Sequence, residues 1–156
     1  MSDDTDPQYN VKVHVYDLSQ GLARVYAPML LGINLDAIYH TGVVVYDKEH
    51  YIDQGVKENY PGNTKYGTPI EVIDVGSTYI SPEIFQEYLD ELRVDEKYQA
   101  HKYDLFENNC NHFTDHMLEF LVGKNLESRI LDLPKQVLNS PNGLLLKQMI
   151  GSQPIA

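Results

Sequence analysis

Residues 104–121, DLFENNCNHFTDHMLEFL, do most to limit what this chain can fold into. Phe113, Met117, Phe120 and Leu121 recur at the three- and four-residue spacing of an amphipathic helix, and Gly123 supplies its stop. Asn108 and Asn109 stand ahead of it, and asparagine is a favoured N-cap residue. Cys110, the only cysteine in 156 residues, therefore falls in the first helical turn. The unsatisfied N–H groups and the positive end of the helix dipole favour thiolate over thiol there, and the thiolate is the nucleophile. Cysteine is also a small buried hydrophobe. At about 100° per residue Cys110 shares the side of Phe113, Met117 and Leu121, so the helix alone leaves both roles open.

Upstream the pattern changes period. Val11, Val13 and Val15 alternate with Lys12, His14 and Tyr16, which predicts a strand with one buried face. Gly21–Leu31 reads as a short helix interrupted or bent by Pro28. AIYHTGVVVY at 37–46 is the strongest strand, with His50–Val56 as its hairpin partner after the polar run Asp47–His50. Lys57–Thr68 reads as a long loop, of the kind that is often functional or mobile, and Pro69–Val75 as another strand. Ser81 caps a helix with Pro82 at its first position and Ile84, Phe85, Tyr88, Leu89 and Leu92 on its buried stripe. Tyr98–Phe106 is expected to include a strand leading into the Cys110 helix, and a last helix is expected over Pro141–Ile150. The domain boundaries are a disordered leader over 1–9, one α+β domain over 10–150, and a tail or linker over 151–156.

A net charge of −11, with no basic stripe, disfavours nucleic acid as a partner. No apolar run approaches the ~20 residues that span a bilayer. The acidic start MSDDTDPQ is unlike a targeting peptide, and Ser2 stands where N-myristoylation needs glycine. With one cysteine and therefore no intramolecular disulfide, the expected setting is cytoplasmic or nuclear.

A thiolate needs a group to take its proton, and histidine is the usual one. His112 and His116 lie on the Cys110 helix and are expected at solvent, on or near its polar side. Cys110-x-His112-x3-His116 looks like a truncated zinc site, but the three side chains diverge from one helix, so no metal is assigned. His14 is expected on the polar face of its strand, His50 in a hairpin turn, and His101 in the charged stretch before the helix. His40 stands inside an otherwise apolar strand, where an imidazole must find a partner. A core histidine bonded to a backbone carbonyl is one reading. Gly42 favours another, because a glycine within a strand marks close approach by a backbone or ligand.

YHTGVVVY at 39–46, YGTPIEVIDVGST at 66–78, DLFENNCNHFTDHMLEFLVGK at 104–124 and LDLPKQVLNSPNGLLLK at 131–147 together resemble the PPPDE superfamily, and within it the desumoylating isopeptidase (DeSI) proteins. The resemblance covers about residues 10–150. It implies an α+β, circularly permuted papain-like cysteine peptidase fold, a small antiparallel sheet packed with about four helices, with histidine ahead of cysteine. It carries the catalytic histidine to His40 and the nucleophile to Cys110. Where relatives have a glycine-rich run, this chain has Tyr51-Ile52-Asp53-Gln54-Gly55-Val56, and only Gly55 remains of it.

The implied activity is a cysteine isopeptidase acting on SUMO or ubiquitin conjugates, as a homodimer and without cofactor. Deubiquitination or protein S-acyl thioester hydrolysis on the same dyad is the alternative enzyme, and a binding module the alternative without catalysis. The backbone N–H of Cys110 is the natural oxyanion donor. Gln54 and Asn109 are candidates for an orienting or oxyanion role.

Overall fold

β1 (Tyr9–Asp17) has the alternation that its sequence predicts, with Val11, Val13 and Val15 buried on one face. The computed structural model describes residues 7–53, 55–95, 98 and 110–145. Beyond β1, the chain forms α1 (Leu22–Leu31), β2 (Tyr39–Val45), β3 (Lys48–Ile52), β4 (Val56–Asn59) and β5 (Glu71–Thr78). It continues through α2 (Pro82–Val94), α3 (Cys110–Val122), α4 (Ser128–Leu131) and α5 (Leu133–Leu138). The strands make one antiparallel sheet in the order β4-β3-β2-β1-β5, so β2 is the middle strand. This is an α+β architecture with a five-stranded antiparallel sheet.

Helices cover one face of that sheet. The valines of β1, Val43 and Val45 of β2 and Ile52 of β3 join Phe113, Met117, Leu118 and Leu121 of α3 and Phe85, Leu89 and Leu92 of α2 in a single apolar core. Burying each of these larger side chains contributes about 1.5–3 kcal/mol. α2 begins as expected, with Pro82 at its start and the Ser81 hydroxyl accepting from Ile84 N–H. α3 stops at Gly123, whose φ of +68° an L side chain rarely adopts.

The excursion between β1 and β2 is tied at its base. The Asp17 carboxylate accepts hydrogen bonds from the Ser19 N–H and hydroxyl, Gly21 N–H and Ile38 N–H. Leu18 N–H also bonds Ile38 C=O. α1 runs through Pro28 without interruption.

Three expectations are corrected. The hairpin after β2 turns at Tyr46-Asp47, both at positive φ, so His50 lies within β3 and is buried, not in the turn. Val56 does not continue the strand of His50. It opens β4, which reaches Asn59, into the stretch read as a long loop. β5 continues past Val75 to Thr78, with a register shift opposite Val11 and Lys12. The segment 99–106 and the region beyond residue 145 lie outside the described residues, and with them the second half of the expected last helix.

Candidate active site

Cys110 opens α3 and is buried. The next residue, Asn111, fixes where that helix end lies. Its Nδ2 donates to Tyr39 C=O at 3.0 Å, and its Oδ1 accepts from the Thr41 hydroxyl at 2.7 Å. Thr41 Oγ1 lies 2.8 Å from Thr114 Oγ1, one turn further along the helix. A buried polar knot thus joins the first turn of α3 to the start of β2, on either side of His40. The Cys110 Sγ lies 3.8 Å from Asn111 Oδ1, a weak S–H donor contact.

The His40 ring takes a different direction. Successive strand side chains point to opposite faces. Thr41 turns to the helices, so His40 turns to the other face of the sheet. There its ring packs against Tyr16 at 5.7 Å, Tyr51 at 5.8 Å and, nearly stacked, Tyr66 at 3.7 Å between centroids. It is fully buried, and neither ring nitrogen has a hydrogen-bond partner among the described residues. Burial, helped by the Lys65 charge, lowers its pKa from 6.5 to about 3, so the imidazole is neutral in this packing.

Behind His40 on the same face is a fully buried carboxylate, Glu49. Three donors meet it: the Tyr16 hydroxyl at 2.7 Å, Gly62 N–H at 2.9 Å and His14 Nδ1 at 3.0 Å. A carboxylate only accepts, so His14 presents Nδ1–H to it. This network accounts for Gly42. A Cβ there would sit 2.7 Å from Glu49 Oε2 and 2.9 Å from its Cγ. The close approach that a strand glycine signals is made by a side chain of the protein itself. Because Gly62 belongs to the loop that carries Tyr66, the same carboxylate also ties that loop down over the sheet.

Of the other histidines, His14 is on the face expected but in this network, largely shielded from water. His50 packs edge-on against Phe85, and burial lowers its pKa to about 4, against the opposing pull of Glu58 and the Val45 backbone. His112 is half-buried and His116 exposed. Gln54, Asn109 and His101 lie outside the described residues. Glu49 and Asn111 were missed by sequence reasoning. Asn111 was detectable in principle, since Asn111 and Thr114 share a helix face at i, i+3. Glu49 gave no signal within its polar run.

A family model of the PPPDE peptidase domain (Peptidase_C97) matches residues 9–151. The chain is 43% identical to human desumoylating isopeptidase 1 over 145 residues, 92% of this chain and 86% of that protein. It is 39% identical to the Xenopus laevis protein of the same name over 143 residues, 91% of this chain and 84% of that one. A DeSI-like protein of Arabidopsis thaliana is 31% identical over 120 residues, 73% of this chain and 50% of that protein.

Proposed function

The chain belongs to the PPPDE peptidase family, and from that premise we propose that it is a cysteine isopeptidase that releases SUMO from lysine side chains, with Cys110 as nucleophile and His40 as its proton partner. The observation that carries this reading is the Asn111 knot. The helix turn opened by the only cysteine is hydrogen-bonded to the residues immediately before and after His40. The names of the relatives supply the modifier.

In the proposed reaction the Cys110 proton passes to His40, and the sulfur attacks the carbonyl carbon of the Gly–Lys isopeptide bond. The C–S bond forms as the carbonyl electron pair moves onto oxygen. That oxyanion is met by the backbone N–H of Cys110 at the start of α3. As the carbonyl re-forms, the C–N bond breaks and His40 gives its proton to the departing lysine amine. Water then adds to the thioester with His40 as base, releasing the modifier carboxylate and restoring the thiol. As packed, the His40 ring lies against the tyrosines on the face of the sheet away from α3, so the reaction requires it to leave that packing when substrate binds.

The test is labelling by SUMO and ubiquitin vinyl-sulfone probes, on the native chain and on Cys110→Ser and His40→Ala. Labelling by the SUMO probe that both substitutions abolish is expected. Labelling by the ubiquitin probe alone would replace SUMO with ubiquitin. Turnover of an acyl-thioester substrate with neither probe attached would make the protein a thioesterase. Assembly as a homodimer belongs to the same proposal, and sedimentation velocity tests it.

A further inference from the structure

Asn111 is 3% exposed, and its amide has the same hydrogen-bonding inventory as a peptide group with one extra N–H. Its orientation is set by its neighbours. Tyr39 C=O can only accept, so the group facing it is the NH2, and the carbonyl faces Thr41. That leaves Oδ1 to receive both the Thr41 hydroxyl and the Cys110 thiol. The Thr41 hydroxyl has one proton, which goes to Asn111, so the short Thr41–Thr114 contact is made by the Thr114 proton. The same Thr114 hydroxyl lies 3.4 Å from Thr41 C=O.

No other hydrogen bonds between described side chains of α3 and the strand carrying His40 appear in this knot's place. The apolar contacts further along α3, through Phe113 and Met117, hold the helix to the sheet without fixing the rotation of its first turn. Apolar packing is not directional, whereas a buried amide with fixed donors and acceptors is.

Resting on the reading of Cys110 and His40 as a dyad, we propose that Asn111 is its positioning residue: it holds the sulfur-bearing turn of α3 in register with residues 39–41, so that His40 can exchange a proton with the thiol. Asn111 does not itself touch substrate. Its contribution is transmitted through the position of Cys110 relative to His40.

The chain has one cysteine, so alkylation by iodoacetamide reports on Cys110 alone in the intact protein. The rate at pH 6 is compared among the native chain, His40→Ala, Asn111→Ala and the double variant, with circular dichroism to establish that each is folded. If Asn111 acts through His40, each single substitution slows alkylation by about tenfold, the effect of roughly one unit on the thiol pKa, and the double variant is no slower than either. Slowing that multiplies to about a hundredfold in the double variant, or an Asn111→Ala rate equal to the native one, overturns the positioning role. A native rate in His40→Ala sinks the dyad itself, and the proposal with it. Should Asn111→Ala fail to fold, Thr41→Val removes only one hydroxyl of the knot. It is expected to slow alkylation by a smaller factor that vanishes in the His40→Ala background, and persistence of that factor there is equally fatal.

Discussion

The Tyr66 ring lies 3.7 Å from that of His40, centroid to centroid and 31° from parallel, and closes the imidazole off from solvent. A loop residue therefore determines much of the environment of a residue that belongs to the middle strand of the sheet.

Tyr66→Ala should return the imidazole toward water, and its pKa should rise from about 3 toward the ordinary 6.5. Histidine ring NMR titrations of the native chain and the variant measure this directly. A midpoint unchanged by the substitution would mean that Tyr16, Tyr51 and the sheet alone keep the ring dry.

Acid should unfold the protein in two stages. His40 and His50 have folded pKa values below their unfolded ones, so between pH ~6.5 and ~4 the unfolded chain binds protons that the folded chain refuses. Stability consequently falls as pH falls through that window, by about 1.4 kcal/mol per pH unit for each histidine. Asp17 titrates below that window. Burial opposes its charge, but the hydrogen bonds from Ser19, Ile38 and Gly21 prevail and lower its pKa. Its stabilisation is present above the ordinary carboxylate range and is lost as pH falls through the folded value. Urea midpoints at pH 7, 6, 5 and 4 test the first stage. His50→Phe, which offers Phe85 another ring, should remove about half of the slope. An unaltered slope would exclude His50 as a source.

Gly42→Ala should be destabilising by about 1–3 kcal/mol, because its methyl group meets the Glu49 carboxylate at an impossible distance. Glu49→Ala alone should cost about 2–5 kcal/mol by leaving Tyr16 and His14 without their acceptor. The two together should cost less than their sum, since removal of the carboxylate makes room for the methyl. Chemical denaturation of the three variants checks the cycle, and strict additivity would mean that the backbone, not Glu49, demands glycine.

Much of the scaffold was legible from its burial pattern. β1, α2 and α3, buried on one face, carry two- or 3.6-residue periods, β2, buried on both, reads as an unbroken apolar and β-branched run, and Gly123 and Ser81-Pro82 mark helix ends as the sequence suggests. The failures have local causes. Tyr46 and Asp47 make a two-residue turn at positive φ without glycine, so the sequence points to the charged residues that follow as the turn. Those residues are the start of β3. Lys57-Glu58-Asn59 reads as loop because β4 is an edge strand, and edge strands carry charge to discourage further pairing. The site was half legible. Residue type and position make Cys110 and His40 candidates, but the partners that surround them depend on register. Tyr66 reaches His40, and Glu49 reaches the Tyr16 beside it, only after the hairpin and the loop have folded back over the sheet.

The order of the elements along the chain has a consequence during synthesis. The Asn111–Thr41 hydrogen bond spans 70 residues. At translation rates of about 5–20 residues per second, roughly 4–14 s separate the appearance of the two partners. By then β1 to β5 are already synthesised, and the Asp17 clasp can register β1 against β2 locally. The thiol is the latecomer. A ribosome that stalls or terminates before α3 releases a chain with most of its sheet and no cysteine, incapable of thiol chemistry in any conformation it adopts.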